Sequence, residues 1–78
     1  MREKPIEKSD ELKKLGGIAA DMQLAPKLRS QAIELLRDVG TYEALLTLLE
    51  LGANENLNIS ERALALKKAR DIVKSGHQ

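Results

Sequence analysis

Residues 41–52 read Thr-Tyr-Glu-Ala-Leu-Leu-Thr-Leu-Leu-Glu-Leu-Gly and hold five leucines within seven positions. At about 100° per residue, a helix over this segment keeps only Glu43, Thr47 and Glu50 on a polar side. Because most of its circumference is apolar, it needs cover from several neighbours. We therefore expect it to be the central helix of a small all-helical domain.

The composition agrees with an all-α fold in one small domain. The chain has 78 residues, 42% of them hydrophobic, with one Tyr and no Phe or Trp. A chain of this length buries only about 60% of its unfolded surface, so its core is small. Leu and Ala dominate the apolar residues and no alternating apolar-polar run occurs, which favours helices over strands.

The first helix is the least regular of the predicted elements. Residues 1–8 are charged, and we expect a flexible arm, although Pro5 also fits the first turn of a longer helix. Ser9 is the expected N-cap, and the helix runs to about Met22. Gly16-Gly17 costs about 2 kcal/mol of helix propensity relative to alanine. Either the helix bends or breaks there, or another backbone packs closely against Gly16.

Capping residues define three further helices. Pro26 fits the first turn of the second helix, and Gly40 fits its C-terminal cap. Thr41 is an N-cap for the third helix, which ends at Gly52, so the second and third helices should pack as antiparallel neighbours. The fourth helix runs from about Ile59 to Lys74. Asn58 before it forms an N-x-x-E variant of the capping box with Glu61, and Ser60 is the competing cap.

An internal repeat appears when the chain is shifted by 33 residues. The shift maps the first helix onto the third and the second onto the fourth, giving repeats of about 10–40 and 41–76 within one domain, 9–76. Such hairpins bury their apolar faces by stacking. The predicted fold is thus two stacked helical hairpins, an α-solenoid fragment, with a plain four-helix bundle as the alternative. The identical pairs are Leu12 and Leu45, Leu15 and Leu48, Ala20 and Ala53, Leu24 and Leu57, Arg29 and Arg62, Ala32 and Ala65, Arg37 and Arg70, and Asp38 and Asp71; the conservative pairs are Ile18 and Leu51, Ile33 and Leu66, and Val39 and Ile72.

The segment Leu28-Arg29-x-x-Ala32-x-x-x-Leu36 resembles the second-helix pattern of HEAT and HEAT-like repeats. Asp21 resembles the Asp that ends the first helix of such repeats. The resemblance covers residues 10–73 and implies a scaffold or adaptor that offers a helical surface to a partner. In the second copy the aliphatic, Asp and Leu positions are held by Glu61, Asn54 and Ala69.

Arg29 and Arg62 lie within or at the edge of the apolar stripes of their helices. A buried arginine must be paired or must reach water. We interpret the two as a structural pair that ties the inter-helix turns, Arg29 through Asp21 and Arg62 through Glu50, Asn54 or loop carbonyls. The alternative is an anion-binding pair in a groove.

A basic side of the fourth helix carries Lys67, Arg70 and Lys74. The chain has a net charge of only +1 and no aromatic residue interleaved with these cations. We interpret them as a solvated face that complements the helix dipole, with phosphate contact as the alternative. A helix-turn-helix DNA reader is disfavoured for two reasons. The connection Gly52–Asn58 is longer than the usual turn of about 3–4 residues, and the acidic Glu61 lies at the start of the candidate recognition helix, where phosphate is expected.

Nothing in the sequence predicts an enzyme. The chain has no Cys, a single His at position 77, no phosphate-binding loop and no metal-ligand spacing. We expect no catalytic residue, cofactor, metal or small-molecule substrate. No apolar run approaches the roughly 18 residues of a membrane span, so we expect no membrane insertion and a cytoplasmic location.

The leucine-rich third helix and the off-stripe Leu64 predict apolar surface left over after intramolecular packing. We therefore expect a homo-oligomer or a protein partner, with Ile18, Met22 and Leu64 as contact residues. The predicted function is a non-catalytic protein-interaction module, or a small adaptor or scaffold. The alternative is a small nucleic-acid-binding protein that uses the basic side of the fourth helix.

Overall fold

The chain forms four α-helices in a computed structural model that describes the backbone of residues 3–76 and the side chains of residues 10–75. No strand occurs among the described residues, and the predicted all-α fold is confirmed. The helices are α1 (Glu3–Ala20), α2 (Pro26–Val39), α3 (Tyr42–Gly52) and α4 (Ile59–Gly76).

The predicted caps of α2, α3 and α4 are confirmed. Gly40 adopts a left-handed conformation with φ 68° at the end of α2, and its N–H donates to the Leu36 carbonyl. The Ala44 N–H donates to Thr41 Oγ1 at 3.1 Å. Asn58 rather than Ser60 caps α4, since the Glu61 N–H donates to Asn58 Oδ1 at 2.8 Å. Turn chemistry alone therefore fixes these three boundaries.

The start of α1 lies earlier than the expected cap at Ser9. The helix begins at Glu3, and Pro5 lies in its first turn, where a missing N–H removes no helical hydrogen bond. Residues 1–2 of the predicted arm lie outside the described residues. The helix continues through Gly16-Gly17 to Ala20 without a break.

Gly16 allows a close approach between α1 and α3. A Cβ atom placed on Gly16 would lie 3.0 Å from Thr47 Cγ2, whereas one placed on Gly17 would meet nothing within 4 Å. The close neighbour is therefore a side chain of α3 rather than a backbone. Gly16 therefore packs closely against a neighbouring helix, and the helix is not broken at either glycine.

Contacts between helices follow a defined pattern. α1 packs on α2 and α3 packs on α4, while further contacts join α1 to α3, α2 to α4 and α2 to α3. Within the described residues α1 and α4 do not touch. The predicted central helix, α3, thus contacts all three others, and α2 shares this position. The largest fully buried side chains are those of Ile33, Leu36 and Leu48.

Gly52 and Gly17 offer a matched test of helix packing. A Cβ atom on Gly52 would lie 2.6 Å from Leu66 Cγ, so Gly52→Ala forces Leu66 to move and should lower the free energy of unfolding by about 1–2 kcal/mol. Gly17→Ala should raise it by about 0.5–1 kcal/mol, because an exposed helix interior gains propensity without a clash. Urea unfolding followed by circular dichroism measures both. Equal stabilisation by the two substitutions would contradict the close packing at Gly52.

Candidate functional site

A buried ion pair joins α2 to α4. Arg29 donates from Nε to Glu61 Oε2 at 3.0 Å and from Nη2 to the same oxygen at 2.7 Å. Both side chains are 5% exposed. Among the described residues, Glu61 Oε1 is buried without a hydrogen-bond partner. Two charges removed from water in this way hold each other in place, and loss of either would leave the other uncompensated.

The same guanidinium also ties the α1–α2 loop. Arg29 Nη1 donates to the Leu24 carbonyl at 2.6 Å and more weakly to the Asp21 backbone carbonyl at 3.4 Å. The predicted tie of Arg29 to Asp21 is therefore made through the backbone carbonyl, while the Asp21 carboxylate accepts from the Gln23 N–H at 2.9 Å. Arg29 is thus occupied on every donor edge by protein groups, which leaves it unsuited to bind an external anion.

Glu61 was missed as the partner of Arg29 because the two residues lie on different repeats. The signal in the sequence is the mismatch at this position, where the first repeat has Leu28 and the second has an acidic residue on the apolar stripe of α4. Since its carboxylate binds Arg29, Glu61 does not complete the predicted capping box with Asn58. Only the bond from the Glu61 N–H to Asn58 is formed.

Arg62 follows the structural interpretation. Its Nε donates to the Gly52 carbonyl at 3.1 Å, which links α4 to the end of α3 through a backbone oxygen. The Asn54 side chain has another role, since its Oδ1 accepts from the Asn56 N–H. Arg29 and Arg62 therefore act on separate turns and do not converge on one groove.

The basic side of α4 is exposed to solvent. Lys67, Arg70 and Lys74 are all exposed and share one side of the helix, as expected. Arg70 also lies within an apolar stripe, because Leu66 and Val73 flank it at helical spacing and are exposed. This side of α4 is therefore mixed apolar and basic rather than purely cationic.

The three predicted contact residues separate in the structure. Ile18 on α1 and Met22 in the α1–α2 loop are exposed. Leu64 is half-buried and packs against the core, so less of its side chain than of Ile18 or Met22 is available to a partner. Leu64 lies on the flank of α4 next to the buried stripe, in line with the half-buried Lys68 and Asp71, and this position lets its side chain reach the core.

Two apolar faces that the sequence analysis did not assign lie on the outside of the helices. The α3/α4 face lies on the sides of α3 and α4 that point away from their buried stripes, and the α1/α2 face lies on the corresponding outer sides of α1 and α2. The α3/α4 face consists of Leu46, Leu49, Leu66, Arg70 and Val73; the α1/α2 face consists of Ile18, Leu28, Leu35, Asp38 and Val39.

A groove of about 500 Å³ lies between α1 and α3, and its lining includes Lys13, Glu43 and Glu50. Opposite charges along an open groove are typical of a solvated surface. Within the described residues, no group of three His, Cys, Asp or Glu side chains could hold a metal ion. His77 lies outside the described residues. None of the described helices combines the length and apolar character needed to cross a membrane.

Comparison with known proteins gives no family assignment. No family model, curated protein or solved structure matches the chain.

The buried ion pair predicts a large and asymmetric mutational effect. Glu61→Ala should lower the free energy of unfolding by about 3–5 kcal/mol, because it leaves Arg29 charged and buried. Arg37→Ala should change it by less than about 1 kcal/mol, since Arg37 and Asp71 form a partly exposed pair at 4.0 Å. The double change Arg29→Met with Glu61→Leu should cost less than Glu61→Ala. Denaturant titration measures all three, and a small loss for Glu61→Ala would contradict the pair's role.

Proposed function

We propose that the chain is a non-catalytic protein-interaction module that binds its partner through the α3/α4 face. The observation that carries this proposal is the exposure of four large aliphatic side chains on two helices that pack on each other. Leu46, Leu49, Leu66 and Val73 are 42%, 44%, 47% and 59% exposed. Large exposed apolar surface is uncommon on soluble monomers and is typical of interaction sites.

The contacts between helices support a HEAT-like stack as the scaffold for this face. Pairing of α1 with α3 and of α2 with α4 is the pattern of two helical hairpins laid side by side. A plain bundle closed into a ring would bring the fourth helix next to the first, and α1 and α4 do not touch within the described residues. In a stack, the second hairpin keeps one side free, which is where the α3/α4 face lies.

Charged residues border the α3/α4 face in the manner of a protein interface. Lys67 and Lys74 lie beside Arg70 on α4, and Glu50 lies beside Leu46 on α3. An apolar centre with a polar rim allows a partner to displace water from the leucines while the charges stay hydrated.

With no cysteine in the chain, we keep the cytoplasm as its proposed location.

Nucleic-acid binding by Lys67, Arg70 and Lys74 is the weaker alternative. Exposure of all three cations on one side of α4 is compatible with phosphate contact. The position of Arg70 between Leu66 and Val73 favours a protein partner, because apolar side chains gain nothing against a phosphate backbone.

The face should govern binding to selected partners. Helical peptides or small domains are selected from a display library for binding to the wild-type chain. We expect them to bind the double variant Leu49→Glu/Val73→Glu at least about tenfold more weakly, since each substitution buries an unpaired charge in the contact. Met22→Glu is the matched control, because Met22 is similarly exposed but lies in the α1–α2 loop. Selected partners that bind all three proteins equally would contradict the proposed surface.

Nucleic acid is tested separately by fluorescence anisotropy with labelled single- and double-stranded DNA and RNA at low salt. The proposal predicts no salt-dependent binding. Binding that weakens with salt and is lost in Lys67→Glu with Arg70→Glu would instead support the alternative.

A further inference from the structure

We propose that the partner of the α3/α4 face is the α1/α2 face of a second copy of this chain, stacked head to tail in the register of the internal repeat. This inference rests on the proposed function and names the partner of the same surface. It follows from a comparison of equivalent positions in the two repeats, because residues exposed in one hairpin have buried counterparts in the other.

The α1/α2 face carries residues whose counterparts are covered inside the molecule. Ile18 is 40% exposed, whereas its counterpart Leu51 is 4% exposed and borders the groove between α3 and α1. Val39 is 46% exposed, whereas its counterpart Ile72 is 8% exposed. The second hairpin buries these positions against the first hairpin. The corresponding positions of the first hairpin are also apolar, and none of the described helices covers them fully.

The α3/α4 face shows the reverse relation. Ile33 of α2 is fully buried because the second hairpin covers the first. Its counterpart Leu66 is 47% exposed, since none of the described helices covers that side of α4. Each end of the molecule therefore presents one half of the interface that already exists between the hairpins.

Charge complementarity selects the head-to-tail arrangement. Across the internal interface, Arg37 Nε lies 4.0 Å from Asp71 Oδ2. The 33-residue offset replaces Arg37 by Arg70 and Asp71 by Asp38, both with the same residue type. A second copy stacked in the internal register would thus bring its Asp38 to Arg70 of the first copy. A symmetric contact between two α3/α4 faces would not bring Asp38 to Arg70, because Asp38 lies on the α1/α2 face.

The contact between copies differs from the internal interface at several positions, among them Lys13 and Gly16, whose counterparts are Leu46 and Leu49, and the Arg29–Glu61 pair. In place of the Arg29–Glu61 pair, the contact between copies would bring Arg62 of one copy to Leu28 of the other. Arg62 already donates from Nε to the Gly52 carbonyl, and because Leu28 offers no carboxylate, the rest of the guanidinium must keep its contact with water. The assembly can also grow, because head-to-tail contact leaves an α1/α2 face free at one end and an α3/α4 face free at the other. Assembly is therefore open-ended and depends on concentration.

Two single-face variants test the arrangement. Val73→Glu places a charge in the α3/α4 face, and Leu35→Glu places one in the α1/α2 face; the two side chains are 59% and 51% exposed, so the core is spared. By sedimentation velocity over a concentration series, the wild-type chain and Met22→Glu should grow beyond dimers. Each single-face variant should remain monomeric alone. An equimolar mixture of the two should form dimers and nothing larger, because it retains one intact pair of faces.

A charge exchange tests the register. Arg70→Asp and Asp38→Arg should each weaken association by about two- to fivefold, as expected for a solvent-exposed pair. The double variant should recover most of this loss, since the exchanged charges meet across the contact. Circular dichroism establishes that each variant is folded. If Val73→Glu or Leu35→Glu unfolds, Leu46→Glu or Leu28→Glu replaces it at the same face.

Three results would overturn the inference. A wild-type chain that stays an 8.6 kDa monomer throughout the series shows no self-association. Dimerisation of Leu35→Glu alone shows a symmetric α3/α4 contact, and no recovery in the charge exchange shows another register. If the chain is monomeric but library-selected partners still require the α3/α4 face, only this inference fails. If neither kind of binding occurs, the proposed function fails with it.

Discussion

The ion pair between Arg29 and Glu61 connects more of this structure than any other polar contact described. One guanidinium binds a carboxylate of α4 and, through its remaining donors, the Leu24 carbonyl of the α1–α2 loop. Both charges are almost fully buried, so their desolvation is repaid only in the geometry that brings them together. A displaced hairpin would leave two charges without partners. We infer that the pair contributes more to the register of the two hairpins than to net stability.

This pair also distinguishes the two repeats. Leu28 and Glu61 occupy equivalent positions, yet Glu61 is buried inside the molecule and Leu28 is exposed at its end. The polar residue of this pair of positions therefore serves the internal interface, where Arg29 can meet it. The apolar residue, Leu28, lies on the outside of α2 and is 45% exposed. The two repeats therefore differ at this position because the residue in each repeat meets a different neighbour.

Prediction from the sequence succeeds where structure is decided locally. Gly40, Thr41 and Asn58 end or begin helices through hydrogen bonds within four residues, and these boundaries were found. The start of α1 was not, because Pro5 is compatible with both an arm and a first helical turn. The Glu61 contact and the burial of Leu64 depend on residues distant in sequence, and periodicity within one helix carries no information on them. Recognition of the two outer faces required both the 33-residue offset of the repeat and the observed burial of each position.

A small core and exposed end faces have the same origin in a stack of two repeats. Every internal hairpin of a longer stack is covered on two sides, whereas each hairpin here is covered on one. Leu66 and Val39 keep residue types suited to burial, although neither is covered within the chain. Contact between copies would cover both and add apolar burial that a 78-residue domain cannot obtain alone. Because that contact joins two separate chains, it must offset their loss of translational and rotational freedom, which the linked hairpins do not lose. It would therefore dissociate more readily than the hairpins, and association would remain reversible while the fold stays intact.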